Sequence, residues 1–296
     1  MRRARPWSYA GRMSCSTLVA VLGRGVVGDA PVLHADDLGL TRGDGCFEAT
    51  RIEVDESGRV HVDHLDAHLA RLQRSAAALA IDVDEAAWRA LLDEALAAWS
   101  VPGEAVLRWM LTRGRESDPT PTGVVTITPI DARTTSAREG ITVVTLDRGH
   151  RADAFADAPW LLGGVKTLSY AVNLAAGREA ARRGADDAIF VSSDGIVLEA
   201  PRAAVVWRRG ERLATTPTEG TGVLASITCD AALSAAAADG VPVDRELIDV
   251  ETLLAADGIW LLSSGRLLAP VTAIDGRAIA VDDGWTERMR RFVRGR

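Results

Sequence analysis

The chain has 296 residues, 47% of them hydrophobic and 25% charged, with a net charge of −7. This length predicts two domains of ordinary globular composition, and arginines dispersed through an acidic chain leave no nucleic-acid footprint. No run of eighteen apolar residues predicts a membrane helix, and the widely spaced Cys15, Cys46 and Cys229 point to a reducing cytoplasm, not a disulfide framework.

Residues 1–14 are basic and read as a disordered extension or an overlong start, with Met13 as the alternative first residue. The apolar run that follows is too short for a signal segment. Residues 17–22 are rich in β formers and predict a strand. Gly23-Arg24-Gly25-Val26-Val27-Gly28 matches GxGxxG, but Asp29-Ala30-Pro31 follows where a dinucleotide site opens a helix, so the stretch reads as a turn. Glycines 39, 43 and 45 let the backbone turn tightly before a strand over 47–54. Residues 55–58 make a hairpin turn, and Val60 and Val62 begin the return. His64, Leu65, His68, Leu69, Leu72, Ala76 and Leu79 then fall at helical spacing, with Arg71 beside the stripe. His64 and His68 lack the glutamate and third ligand of a zinc helix, so packing or capping is expected and no metal. Residues 84–99 form a second amphipathic helix, opened by Asp82 or Asp84. Residues 105–112 and 124–129 read as a strand pair. The polar, aperiodic stretch 131–140 reads as a linker between a small domain over 15–130 and a larger one over 141–296.

The second half opens with a strand over 141–145. An Ala-rich helix over 169–183 ends at Gly184. A hairpin pairs 188–192 with 196–198, and strands follow at 203–207 and 212–215. A helix opened by Ser226 or Thr228 runs to 238, and a short one covers 250–256. Strands at 259–262 and 267–274 flank the polar turn Ser263-Ser264-Gly265, and a helix over 285–294 closes the chain. Hairpins and helices mixed in both halves predict α+β, not alternating βαβ.

The chain carries 34 Lys+Arg, nearly all Arg, so the lone Lys166 after Gly163-Gly164 stands out. Lysine can serve as an amine nucleophile, whereas guanidinium stays protonated. A pyridoxal-phosphate site needs a Schiff-base lysine, an acid beside the pyridine nitrogen and a cradle for a dianion. Lys166 can supply the first and Glu199, ending a β-like run, the second. Ile227-Thr228 at a helix start, the turn containing Ser264, and Arg71 can supply the third. Taken singly, the same positions also fit a surface lysine, a helix cap, a polar turn and a surface arginine.

The order of these pieces is similar to that of a known family. GDGCFEATR (43–51), HLARLQRSA (68–76), GVKTLSYAVNLAA (164–176), GADDAIFVSSDGIVLEAP (184–201) and LLSSGRLLAPVTAIDG (261–276) stand in the order and spacing of the class-IV aminotransferases and aminodeoxychorismate lyases. These are the fold-type IV pyridoxal-phosphate enzymes, and the resemblance covers about residues 17–285. It implies an α+β, two-domain fold like that of the D-amino acid aminotransferases, with the cofactor at the domain interface, and a homodimer. It implies Lys166 as the Schiff-base and proton-transfer lysine and Glu199 as partner of the pyridine nitrogen. Arg71, Ile227, Thr228 and Ser264 become phosphate contacts, and Tyr170 lies near the cofactor. Two departures bear on substrate preference. Cys229 stands where an Arg commonly follows the Thr, and Ala200-Pro201-Arg202 replaces the stretch that often carries an Asn after the Glu.

Within the family, GDGCF (43–47) is similar to the lyases. FEATR (47–51) departs from the FEGIR of branched-chain aminotransferases. Thr112-Arg113-Gly114 lacks the nearby His of the D-amino acid enzymes. The resemblance thus implies a 4-amino-4-deoxychorismate lyase making pyruvate and 4-aminobenzoate, a folate precursor. The alternative is an aminotransferase of D- or branched-chain amino acids with 2-oxoglutarate. Arg108 and Arg113 can clamp a substrate carboxylate bidentately or serve structural ion pairs.

Overall fold

The computed structural model describes residues 17–28 and 30–295; the expected extension over 1–14 and the alternative start at Met13 lie outside the described residues. Two compact units result. One holds residues 17–131 with Val165–Tyr170, and the other holds Ala132–Gly164 and 171–295.

The first unit is an antiparallel sheet backed by two helices. Its elements are β1 (Leu18–Val21), β2 (Gly25–Val26), α1 (Leu38–Arg42), β3 (Gly45–Val54), β4 (Val60–Val62), α2 (Leu65–Ala78), α3 (Glu85–Ala98), β5 (Gly103–Thr112) and β6 (Thr122–Pro129). The strand order is β2-β1-β6-β5-β3-β4. Side chains alternate across a strand, so Leu107, Trp109 and Leu111 of β5 share one face with Cys46 and Ile52 of β3. This face packs with Leu69 and Leu72 of α2 and Trp88 and Leu92 of α3 in one core. Asp84 caps α3 by accepting the Ala87 N–H at 3.0 Å. The GxGxxG stretch is the expected turn, joining β1 to β2. The short α1 was not expected; Asp37 starts it by accepting the Gly39 N–H, and Gly43 ends it with φ of 70°.

Val165–Tyr170 joins this unit by lying along the start of β3. The Phe47 N–H donates to the Lys166 carbonyl at 3.0 Å, and the Leu168 N–H to the Gly45 carbonyl at 2.9 Å. The Lys166 N–H donates to Ser75 Oγ of α2 at 3.3 Å. Sequence reading kept these residues with the second domain, because pairing across so long a separation leaves no local pattern.

The second unit is built on a mixed sheet. Its elements are α4 (Ala132–Ser136), β7 (Ile141–Asp147), α5 (Ala171–Arg182), β8 (Asp187–Val191), β9 (Ala204–Arg209), β10 (Arg212–Thr215), α6 (Ile227–Ala238), β11 (Val243–Arg245), α7 (Val250–Leu254), β12 (Gly258–Ser263), β13 (Leu267–Ile274), β14 (Arg277–Ala278) and α8 (Asp283–Arg294). The order is β11-β10-β9-β12-β13-β7-β8, with β14 on β13. The central strands are buried on both faces, so they read as continuous apolar runs. Val205, Trp207, Ile259 and Leu261 face α7, while Val206, Trp260 and Leu262 face α6 and α8. The expected linker over 131–140 is instead α4 followed by a 3-10 turn over Ala137–Glu139. The expected partner strand over 196–198 forms only isolated bridges, Val191 with Val197 and Ile196 with Asp249.

Gly45 is where this packing is tightest. A Cβ there would lie 2.4 Å from the Leu111 carbonyl oxygen and 2.7 Å from Leu168 Cδ1. Gly45→Ala is therefore expected to lower stability by about 1–3 kcal/mol, the usual cost of overpacking. Chemical denaturation followed by tryptophan fluorescence checks this, and an unchanged midpoint would contradict the close approach.

Candidate active site

In the first unit, the backbone bonds beside β3 fix where the Lys166 side chain starts. Its Nζ lies 4.4 Å from the centre of the Phe47 ring and 5.6 Å from that of Tyr170. The two rings meet edge to face, with centres 5.1 Å apart. Ammonium over an aromatic face is attractive, so the rings form a seat for the lysine head. Tyr170 and Lys166 are thus brought together as sequence suggested. Phe47 was missed as a site residue, although it sits in the quoted GDGCF run.

Behind this seat, α2 carries Arg71 inward. Arg71 is 6% exposed, so it is not a surface residue. Its Nε and Nη2 donate to the two carboxylate oxygens of Glu48 at 2.6 and 2.7 Å. His68 Nδ1 lies 2.7 Å from Glu48 Oε2. Glu48 is fully buried. Burial pushes its carboxyl up, but hydrogen bonds and charge from Arg71 and His68 win and hold it at about 2. An ionised Glu48 only accepts, so His68 donates from Nδ1. Burial pushes the His68 imidazole below its ordinary value, and the Arg71 and Lys166 charges add to that against the pull of Glu48. His68 is therefore neither a mere packing residue nor a cap. Glu48 was missed because nothing in an alternating strand marks which charged residue faces the core.

The two arginines proposed as substrate clamps differ. Arg108 is exposed on β5. It pairs opposite Ala49, two residues from Met110, which pairs opposite Phe47. By strand alternation Arg108 shares the Phe47 face. Arg113 instead serves structure. Its Nε and Nη2 donate to Asp44, and its Nη1 and Nη2 donate to the Ala80 and Leu79 carbonyls at the end of α2. A cation on those terminal carbonyls is favoured by the helix dipole.

In the second unit, Glu199 follows β8 and its return. Its carbonyl accepts the Phe190 N–H at 2.8 Å, and its Oε2 accepts the Leu224 N–H at 3.3 Å. The turn beyond it is tied to α5, where Asn173 Nδ2 donates to the Pro201 carbonyl at 2.6 Å. The loop that holds Glu199 through Leu224 runs directly into α6. There Ser226 is the N-cap, accepting the Cys229 N–H. Ile227 and Thr228 are the first two residues of the helix, where N–H groups have no partner within the helix. The Thr228 hydroxyl lies 3.1 Å from that of Ser264, in the turn after β12. Cys229 sits in this same first turn, where a helix N-terminus would lower a thiol pKa. Burial wins and pushes it up to about 12, so the thiol stays neutral at this helix start.

These donors match pyridoxal phosphate in kind. A lysine amine, a carboxylate, a helix N-terminus with two hydroxyls, and a guanidinium are the groups that cofactor uses. Among the described residues no three His, Cys, Asp or Glu side chains are grouped to hold a metal ion.

The Glu48 carboxyl gives a pH prediction. Its folded value lies below the ordinary 4.5. The stability it contributes is therefore complete above about 4.5 and is lost as pH falls toward 2. Denaturant titrations are expected to show wild type losing roughly 3 kcal/mol more than Glu48→Gln across that window. Parallel losses in the two proteins would contradict the ion pair.

The family model for amino-transferase class IV matches residues 45–274. A Mycobacterium tuberculosis protein named bifunctional aminodeoxychorismate lyase / D-amino acid transaminase is 41% identical over 259 residues, covering 84% of this chain and 88% of its own. The fold IV-transaminase of Curtobacterium pusillum superposes with TM-score 0.88 at 38% identity, covering 95% of this chain and 99% of its own. A structure described as a hypothetical aminotransferase from Mycobacterium tuberculosis, in its pyridoxal-phosphate-bound form, gives the same TM-score and identity over 94% and 98%. With fold, donor set and relatives in agreement, this chain belongs to the class-IV aminotransferase family and is a pyridoxal-phosphate-dependent enzyme of fold-type IV.

Proposed function

We propose that the enzyme is a 4-amino-4-deoxychorismate lyase, releasing pyruvate and 4-aminobenzoate, and that it also transaminates D-amino acids with 2-oxoglutarate. The observation that carries this reading is the 41% identity to a relative named for both activities. The GDGCF run at 43–47 adds to the lyase side.

Lys166 carries the cofactor and moves the proton. Glu199 partners the pyridine nitrogen, with the Leu224 N–H orienting its carboxylate. Ile227, Thr228, Ser264 and Arg71 hold the phosphate, and Tyr170 and Phe47 flank the lysine. The bound cofactor supplies an electron sink for the pair left when a proton leaves the amine-bearing carbon. Lys166 Nζ, released as a free amine, takes that proton. In the lyase reaction the bond between the ring carbon and the ether oxygen then breaks, enolpyruvate leaves with that oxygen and takes up a proton to become pyruvate, and the substrate ring becomes aromatic. In transamination the same Nζ returns the proton at another carbon, so one base serves both outcomes. Arg108, on the face that carries Phe47, grips a substrate carboxylate. Arg113 has its donors committed to Asp44 and α2 and is left out of that role. A homodimer, implied by the family resemblance, would cover the exposed Trp160 and Leu161. A cytoplasmic setting fits the free Cys46 and Cys229.

The test uses holoenzyme with aminodeoxychorismate, reading 4-aminobenzoate, and separately with D-alanine plus 2-oxoglutarate, reading glutamate. 4-Aminobenzoate is expected, with a loss of at least about 100-fold in Lys166→Ala. Robust glutamate formation without any 4-aminobenzoate would overturn the lyase reading.

A further inference from the structure

Among the described residues of the first unit, Glu48 is a fully buried carboxylate with two donor side chains, Arg71 and His68, aimed at it, and the reaction proposed above does not use it. Core packing alone does not require it. Apolar residues of similar volume usually replace a buried ion pair at no loss of stability. Its geometry suggests another purpose. Guanidinium is planar, so the two donors bound to Glu48, Nε and Nη2, fix the plane and direction of the whole group. Nη1 and the second hydrogen of Nη2 must then point away from Glu48. His68, held as an Nδ1 donor, pins the carboxylate in turn. Glu48 and His68 stand 20 residues apart, on β3 and α2. The strand and the helix therefore both set where Arg71 points.

We propose that Glu48 is a positioning residue for the cofactor phosphate. By fixing the guanidinium of Arg71, it sets how well the enzyme distinguishes a phosphorylated cofactor from an unphosphorylated one. The proposal rests on Arg71 being a phosphate contact. Glu48 touches neither cofactor nor substrate and acts only through Arg71.

The experiment measures apparent Kd of apo-enzyme for pyridoxal phosphate and for pyridoxal, by absorbance and fluorescence titration. Wild type, Glu48→Gln, Glu48→Asp and Arg71→Gln are compared. Glu48→Gln is expected to weaken pyridoxal phosphate by about tenfold, as loss of an outer hydrogen-bond partner does at metal sites, and to leave pyridoxal unchanged. Glu48→Asp, which keeps the charge, should recover part of the loss and stands in should the Gln variant fail to fold. Equal weakening of both ligands, or of neither, would overturn the proposal. If Arg71→Gln leaves the ratio at the wild-type value while Glu48→Gln lowers it, the phosphate role of Arg71 fails, and the relay through it falls as well.

Discussion

Two backbone hydrogen bonds, Phe47 N–H to the Lys166 carbonyl and Leu168 N–H to the Gly45 carbonyl, are what the placement of Lys166 in the first unit depends on. They make 165–168 an added edge beside the start of β3. A lysine has a long, flexible stem, and an untethered loop would leave its amine poorly placed. Anchoring the backbone on both sides of Lys166, and its own N–H on Ser75, leaves only the side chain to move. The glycines of GDG then have a physical reason. Gly43 and Gly45 lie so close to Ser169, Leu168 and the Leu111 carbonyl that a Cβ on either would collide.

Charge in this unit is arranged by burial. Arg51 lies near the edge and answers Asp63, Glu53 and Glu104 at once, tying β3, β4 and β5 together. Glu48 and Arg71 are deeper, and there the electrostatic attraction must outweigh desolvation of both ions. That balance favours the ionised carboxylate because Arg71, and after it His68, hydrogen-bond to it. In the second unit the logic runs the other way. Cys229 sits at a helix start, which favours a thiolate, but burial, with the Asp230 charge adding to it, keeps the thiol protonated. With its thiol neutral, Cys229 places no negative charge at the N-terminus of α6.

Much of this was legible from residues alone. The apolar stripe of α2 and strands near β9 and β12 follow from local pattern, and of the paired cap candidates the structure selects Asp84 over Asp82 and Ser226 over Thr228. Lys166 is in fact the single lysine of the chain, which made it conspicuous. What local pattern misses is pairing at a distance. The attachment of Val165–Tyr170 to β3 spans more than a hundred residues of sequence, and no periodicity encodes it. In the sequence Arg113 fits a substrate clamp or a structural ion pair alike. Only the fold shows α2 ending beside it. Glu48 drew no attention in the sequence, and its partners Arg71 and His68 on α2 show that it faces in.

The single lysine also makes the central claim directly measurable. If Lys166 carries the cofactor, borohydride reduction of holoenzyme followed by peptide mass mapping should place one phosphopyridoxyl group on the peptide containing Lys166. With no other lysine to compete, a holoenzyme whose Lys166 peptide remains unlabelled after reduction would contradict the account.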